Sequence, residues 1–115
     1  MYNEQLANRV RELLQDQAHV AELNMMGGLV FMVDDKMCVG VLQDELMIRI
    51  APDVRERLLE QNKIHEMNMH RKPMRTYALV AIDDLAQQAD LQYWLGLALE
   101  YNKVVKPSKK KKIQQ

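Results

Sequence analysis

The 115-residue chain has the length of one domain, and its composition limits what kind of protein it is. Hydrophobic residues make up 48% and charged residues 28%, which is typical of a packed globular domain and argues against a disordered or fibrous chain. No apolar run approaches the roughly 20 residues that cross a bilayer, and the N-terminus has no signal-peptide pattern. With Cys38 as its single cysteine, the chain forms no internal disulfide, and we expect a cytoplasmic protein.

The charges cancel over the whole chain but are unevenly distributed. Six of the 16 basic residues follow Asn102, which leaves residues 1–102 with all 16 acids and 10 bases. This pattern predicts a folded domain over residues 1–106 and a flexible lysine-rich tail over residues 107–115. An acidic body binds phosphate backbones poorly, so any attraction for nucleic acid has to come from the tail or from a local basic patch.

The first predicted element is a helix between Asn3 and Gln17. Asn3 is a suitable N-cap, because its side-chain oxygen can accept a hydrogen bond from a first-turn amide. Apolar residues recur at the spacing of one helical face, which should lie on a core; they are Leu6, Val10, Leu13 and Leu14.

Three short β-prone runs follow Gly27-Gly28, which we expect to form a tight turn from helix to strand. The runs are residues 29–33, 37–42 and 46–50. Their connections are short and polar, so neighbouring runs can pair only as antiparallel hairpins. The sequence therefore predicts a three-stranded meander.

Both faces of this meander are apolar. Alternation puts Leu29, Phe31 and Val33 on one face of its first strand, yet Val30 and Met32 on the other face are apolar as well. Helices can cover one side, and a longer loop or a second subunit can cover the other. We therefore predict a protein interface that includes Val30, Met32 and Met47, where flexible methionines make adaptable contacts.

The second half of the sequence predicts two more helices and two more strands. Pro52 opens a helix, with a capping box over residues 53–56. Residues 64–69 and 77–82 are predicted strands, and residues 71–73 a loop, since proline lacks a ladder donor. Asp90 is the predicted cap of a last helix that ends near Val105. The predicted fold is α+β, an antiparallel sheet built around the meander with flanking helices at the N-terminus, in the middle and at the C-terminus.

Several blocks of this sequence resemble the TfoX N-terminal domain. They are residues 24–33 (NMMGGLVFMV), residues 36–38 (KMC), residues 45–49 (ELMIR) and residues 72–75 (KPMR) leading to Tyr77. Their order and spacing match across roughly residues 4–104. The resemblance implies an α+β fold and a role in competence and transcription regulation exercised through other proteins. The family's full-length regulators continue into a second, helical domain. This sequence stops where that domain would begin, so we expect a stand-alone domain.

The residues predict no catalytic or metal site. Ser108 is the only serine and lies in the predicted tail, which argues against a serine nucleophile. His65 and His70 are five residues apart, whereas the zinc-protease motif places its histidines four apart on one helical face. We expect a noncatalytic protein without metal or cofactor.

Basic residues are the remaining candidates for a site. Arg49 lies among apolar residues of the third meander strand, where an unpaired charge is costly to bury, so it must reach solvent, an acid or an anionic ligand. Arg71, Lys72 and Arg75 could join it around a small anion. A nucleic-acid contact is possible for the same loop together with four tail lysines; these are Lys109, Lys110, Lys111 and Lys112.

Three functions are therefore carried forward. The first is a noncatalytic interaction domain, a possible accessory regulator, that binds a protein partner or its own copy. The second is weak nucleic-acid binding through the basic loop and tail. The third is a small anionic ligand or an enzymatic role around Arg49. No membrane association is expected.

Overall fold

The chain folds as an α+β domain with a single antiparallel sheet. The computed structural model describes residues 2–69 and 72–106. The helices in this part are α1 (Glu4–Leu13), α2 (Pro52–Glu60) and α3 (Gln88–Asn102), with a short 3₁₀ helix (Ile82–Leu85) before α3. The strands are β1 (Val20–Met25), β2 (Gly28–Val33), β3 (Lys36–Leu42), β4 (Glu45–Arg49), β5 (His65–Met69) and β6 (Lys72–Ala81). The predicted fold class is confirmed.

The six strands lie in the order β1-β2-β3-β4-β6-β5, and all neighbours are antiparallel. The predicted meander is β2, β3 and β4. Its hairpins are closed by the pairs Val33–Lys36 and Leu42–Glu45, each around a two-residue loop. The loops carry positive φ angles, as the primed turns that match strand twist require; these angles are at Asp34, Asp35 and Gln43.

The prediction of a helix-to-strand turn at Gly27-Gly28 is wrong, because an additional strand, β1, precedes it. Met26 (φ 58°) and Gly27 (φ 75°) form a two-residue loop between β1 and β2. Gly28 opens β2, and a Cβ added there would overlap the Val41 carbonyl oxygen. One glycine therefore supplies a left-handed turn, and the other allows close approach of β3.

The predicted loop at residues 71–73 is also corrected. Lys72 and Pro73 begin β6, while Arg71 lies outside the described residues. Proline is tolerated there because β6 pairs with β4 only from Tyr77 to Ala81. At Lys72 and Pro73 the described strand that pairs with β6 is β5 alone, and proline is tolerated where a strand has an unpaired edge.

The helix ends follow the sequence signals only in part. The Asn3 side chain accepts a hydrogen bond from the Leu6 amide at 2.9 Å, which confirms the predicted N-cap of α1. The helix ends at Leu13 rather than Gln17, because the chain has to return to the sheet as β1. Pro52 opens α2 as predicted, but the predicted side-chain caps at Asp53 and Asp90 are wrong. Both aspartates lie in the first turns of their helices. The N-cap residues are Ala51 and Gln87, and neither makes a side-chain capping hydrogen bond.

The three helices pack on one face of the sheet and form the main core with it. Leu29, Phe31 and Val33 of β2 belong to this core, as predicted, together with buried residues of α1, α2 and α3. The C-terminal end of α3 is attached to the β2–β3 hairpin. Asn102 donates to the Val33 carbonyl at 3.2 Å, and Lys36 donates to the Asn102 carbonyl at 2.6 Å.

Candidate functional site

The opposite face of the sheet carries a second apolar cluster, which we call the methionine face. In antiparallel strands, paired residues share a face, so the pairs Gly40–Met47 and Met47–Leu79 align Met47 with Val30, the partner of Gly40. Among the described residues the cluster is made by strands and the β1–β2 turn alone. Its members are Met26, Val30, Met32, Met37, Leu42, Met47, Met67, Met74, Tyr77 and Leu79.

The methionine face has a buried floor. Val30 and Met47 are 0% exposed and Met67 is 4% exposed, although described helices cover only the other face. Gly40 makes room for the floor, since a Cβ at this position would lie 3.1 Å from Met47 Cε. Two of the three predicted interface residues, Val30 and Met47, thus lie beneath neighbouring side chains rather than at the surface.

Half-buried side chains, which we call the methionine layer, pack against this floor. The layer includes Met32, the third predicted interface residue, together with Met37 and Met74. At the margin formed by β1, Leu23 is 45% exposed and Met25 is 37% exposed. Unbranched thioether side chains change rotamer easily and fit differently shaped apolar partners. The arrangement suits adaptable apolar contact.

Arg49 lies beside this surface. It pairs with Tyr77 across β4 and β6, and its guanidinium carbon lies 5.3 Å from the Tyr77 ring centroid, within cation–π distance. Its Nε is buried without a hydrogen-bond partner. Burial raises the pKa of Tyr77, an effect that the positive charge of Arg49 partly offsets. Arg49 is half-buried, with its guanidinium against the Tyr77 ring.

Of the other predicted basic residues, Arg75 is the one whose side chain the structure describes. Arg75 is exposed and lines a cavity of about 500 Å³ at the start of α2. Asp53, Glu56 and Glu66 line the same cavity, so its acids outnumber its two arginines and an anion is disfavoured there. Lys72 belongs to β6. The remaining predicted residues lie outside the described part; they are Arg71, Lys109, Lys110, Lys111 and Lys112.

Arg55 is a buried cation that the sequence reasoning missed. It is 3% exposed, its Nε donates to the Tyr77 carbonyl at 2.8 Å, and its Nη1 lies 3.6 Å from Glu56 Oε2. Its Nη2 is buried without a partner. A signal was present, because Arg55 precedes the core residue Leu58 by three positions and so shares its helical face. Arg55 joins α2 to β6.

Cys38 is buried, as expected from its position in a strand. Burial raises the pKa of its thiol to about 12, although Arg49 and Lys36 act in the opposite direction. The thiol therefore stays protonated near neutral pH, and a protonated thiol is a poor nucleophile.

Comparison with known proteins gives one finding. The family model described as the TfoX N-terminal domain matches residues 12–101, which is most of the chain. The matched range runs from α1 to the last turn of α3 and includes the whole sheet. No curated protein and no solved structure matches significantly.

Proposed function

Since the chain belongs to the TfoX N-terminal domain family, we propose that it is a noncatalytic interaction domain that regulates transcription or competence by binding another protein in the cytoplasm. The methionine face is the proposed binding surface. None of the helices in the described part of the chain has the length and apolar character needed to span a bilayer.

One observation supports this proposal. The described helices all pack on one face of the sheet, while the other face has its own apolar cluster, which includes the half-buried methionine layer. Exposed apolar side chains at the margin of such a layer are typical of surfaces that bind other proteins. The Met32 and Met37 side chains are half-buried and pack against the cluster of Val30 and Met47, and flexible thioether side chains rearrange easily around a partner.

Arg49 would orient the partner on the methionine face. A guanidinium beside an apolar surface, with one buried donor unpaired, favours a partner segment in which an acidic residue lies next to apolar ones. Such a partner would bury its apolar side chains on the methionine layer and direct the carboxylate to Arg49.

The test compares two charge-equivalent variants as bait for partners from the native host. Met32→Glu introduces a charge into the methionine layer, and Gln92→Glu introduces one on the exposed side of α3. We expect a partner that the wild type and Gln92→Glu retain and Met32→Glu loses, with both variants still folded by the fluorescence of the buried Trp94. Equal retention by the two variants would reject the methionine face as the binding surface.

The charge asymmetry supports nucleic-acid binding as a second candidate. All six bases after Asn102 are lysines, and no acid accompanies them. Binding through them would weaken steeply with salt, by a slope of about 0.9 per neutralised phosphate on logarithmic axes. Deletion of residues 107–115 should then reduce both the affinity and that slope. An unchanged salt slope in the truncated chain would remove the four deleted lysines, residues 109–112, from the proposal.

A further inference from the structure

Within residues 2–69 and 72–106, no strand pairs with the outer edge of β1. In this part of the chain β1 pairs with β2 alone, in a continuous register from Val20–Val33 to Met25–Gly28. In a two-residue hairpin the residues that flank the loop form a hydrogen-bonded pair, so Met25, and by alternation Leu23, bond to β2. The backbone N–H and C=O groups of Glu22 and Asn24 therefore point away from the sheet.

This edge lacks the usual features that prevent strands from pairing with other chains. β1 contains no proline, no lysine and no bulge, whereas β5 at the opposite edge has an irregular register between Glu66 and Asn68. The single charge on β1 is already paired: Glu22 receives hydrogen bonds from Arg11 at 2.6 and 2.8 Å on the helix side.

The side chains of β1 also suit a contact. Leu23 and Met25, on the methionine face, are 45% and 37% exposed, although both are large and apolar. Pairing a second strand with β1 would satisfy the outward backbone groups and cover part of this apolar surface. The remaining question is which strand is complementary to it.

We propose that β1 pairs antiparallel with β1 of a second copy of this chain, across a two-fold axis at Leu23. The two six-stranded sheets join into one, and the two methionine faces become a continuous surface. This proposal deepens the proposed function by naming a second copy as the partner at the β1 margin of the methionine face. It rests on the proposed function only for the statement that the joined face binds another protein.

Charge disfavours one of the neighbouring registers. With the axis at Leu23, Glu22 lies opposite Asn24 of the second copy, and on the methionine face Leu23 meets itself while Ala21 meets Met25. Shifting the axis to Glu22 would place two glutamates directly opposite each other, which is unfavourable in a cross-strand pair. The Leu23 register is therefore self-complementary on both faces. Because the contact is one short strand, we expect a dimer that dissociates on dilution.

A crosslinking experiment on the full chain tests both the pairing and the register. The axis places residue 23 opposite its own copy at a Cα separation that a disulfide can bridge. Leu23→Cys should form a covalent dimer under mild oxidation, whereas Ala21→Cys should not, because residue 21 faces residue 25. Wild-type Cys38 is buried, and its pKa of about 12 keeps it unreactive, so it serves as the background.

Substitutions of Asn24 supply a reversible measurement. Asn24 is exposed, and the register places it opposite Glu22 twice per dimer. Asn24→Lys should tighten the dimer and Asn24→Glu should weaken it, by roughly tenfold in opposite directions, as read by sedimentation at several protein concentrations. Residue 24 tolerates either charge in the monomer, which the fluorescence of Trp94 checks.

The outcomes separate this proposal from the proposed function. Equal crosslinking by Leu23→Cys and Ala21→Cys, or a wild type that stays monomeric at its highest soluble concentration, would overturn the β1 pairing. Neither result depends on the partner captured by the methionine face, whose loss in Met32→Glu is measured separately. A monomer that still binds this partner keeps the proposed function and removes the dimer.

Discussion

Replacing Met47 with alanine tests whether the methionine face has a true packed floor. The Met47 side chain is 0% exposed and lies across Gly40, whose missing Cβ would stand 3.1 Å from Met47 Cε. Truncation of a buried methionine to alanine lowers the unfolding free energy by about 2–5 kcal/mol. The transfer free energy of the removed atoms is lost, and the cavity left behind adds to the cost. On an open sheet face, the same truncation would cost less than about 1 kcal/mol.

The contact with Gly40 makes a double-mutant cycle informative. Gly40→Ala alone should cost about 1–3 kcal/mol, since the added methyl crowds Met47 Cε and the Leu29 carbonyl oxygen at 3.2 Å. In the Met47→Ala background the first of these contacts is absent, and the new methyl occupies part of the cavity. The losses of unfolding free energy in the two single variants should therefore add up to about 1 kcal/mol more than the loss in the double variant.

Urea unfolding followed by Trp94 fluorescence measures these free energies, because Trp94 is the only tryptophan and is 6% exposed in the main core. Leu58→Ala, in α2 on the other face, is the matched control. Gly40→Ala should be additive with Leu58→Ala, since Leu58 belongs to the main core, whereas a methyl at Gly40 would meet Met47 and Val30 of the methionine face. Strict additivity of Gly40→Ala with Met47→Ala would show that Met47 does not cover Gly40, and the floor would have to be abandoned.

Three further predictions concern stability. Gly28→Ala should cost about 2 kcal/mol or more, because its methyl would overlap the Val41 carbonyl oxygen. Gly27→Ala should cost about 1 kcal/mol, because alanine is strained at the φ of 75° found there. Urea titrations compare the unfolding free energies of the two variants. Asn3→Ala should cost about 1 kcal/mol through loss of the α1 cap, and Asn3→Ser should restore most of it. The hydrogen bond from Arg11 lowers the pKa of Glu22, so this pair stabilises the fold above the unfolded carboxyl pKa and stops doing so as the pH falls through the folded value. Glu22→Gln should thus lose under about 1 kcal/mol near neutral pH and nothing in acid, and an equal loss at both would contradict the pair's role.

The sequence predicted the meander well because local and tertiary signals agree there. Residues 29–33 and 46–50 are apolar on both faces, and the short polar connections at residues 34–35 and 43–44 permit hairpins only. The prediction that both faces need cover is consistent with the two separate clusters.

Strand β1 was missed for a physical reason. Four of its six residues are alanine, glutamate, leucine and methionine, which favour helices, so residues 20–25 continue the helical character of α1. A weaker signal was available, since Ala21, Leu23 and Met25 alternate with more polar positions. The prediction failed because β-structure at this edge depends on pairing with β2, a tertiary effect that overrides the local preference.

The candidate site was predictable as a face but not in depth. Alternation assigns Val30, Met32 and Met47 to one side of the sheet, yet it cannot tell which of them neighbouring side chains will cover. Gly40 is the residue that decides this for Met47, because only a position without a side chain leaves room above the sheet. Arg55 was missed likewise, since its burial depends on the Tyr77 carbonyl of a distant strand.

This two-level construction separates stability from recognition on one surface. Val30 and Met47 form a floor without exposure, so changes there alter the fold before they alter any contact. Met32 and Met37 are half-buried, pack against this floor and have flexible side chains that repack easily. A partner bound as proposed would contact the methionine layer without rearranging the sheet, and its specificity would come from shape and from Arg49 at the side. The methionine content of the face therefore favours adaptable binding, while the floor beneath keeps the fold independent of the partner.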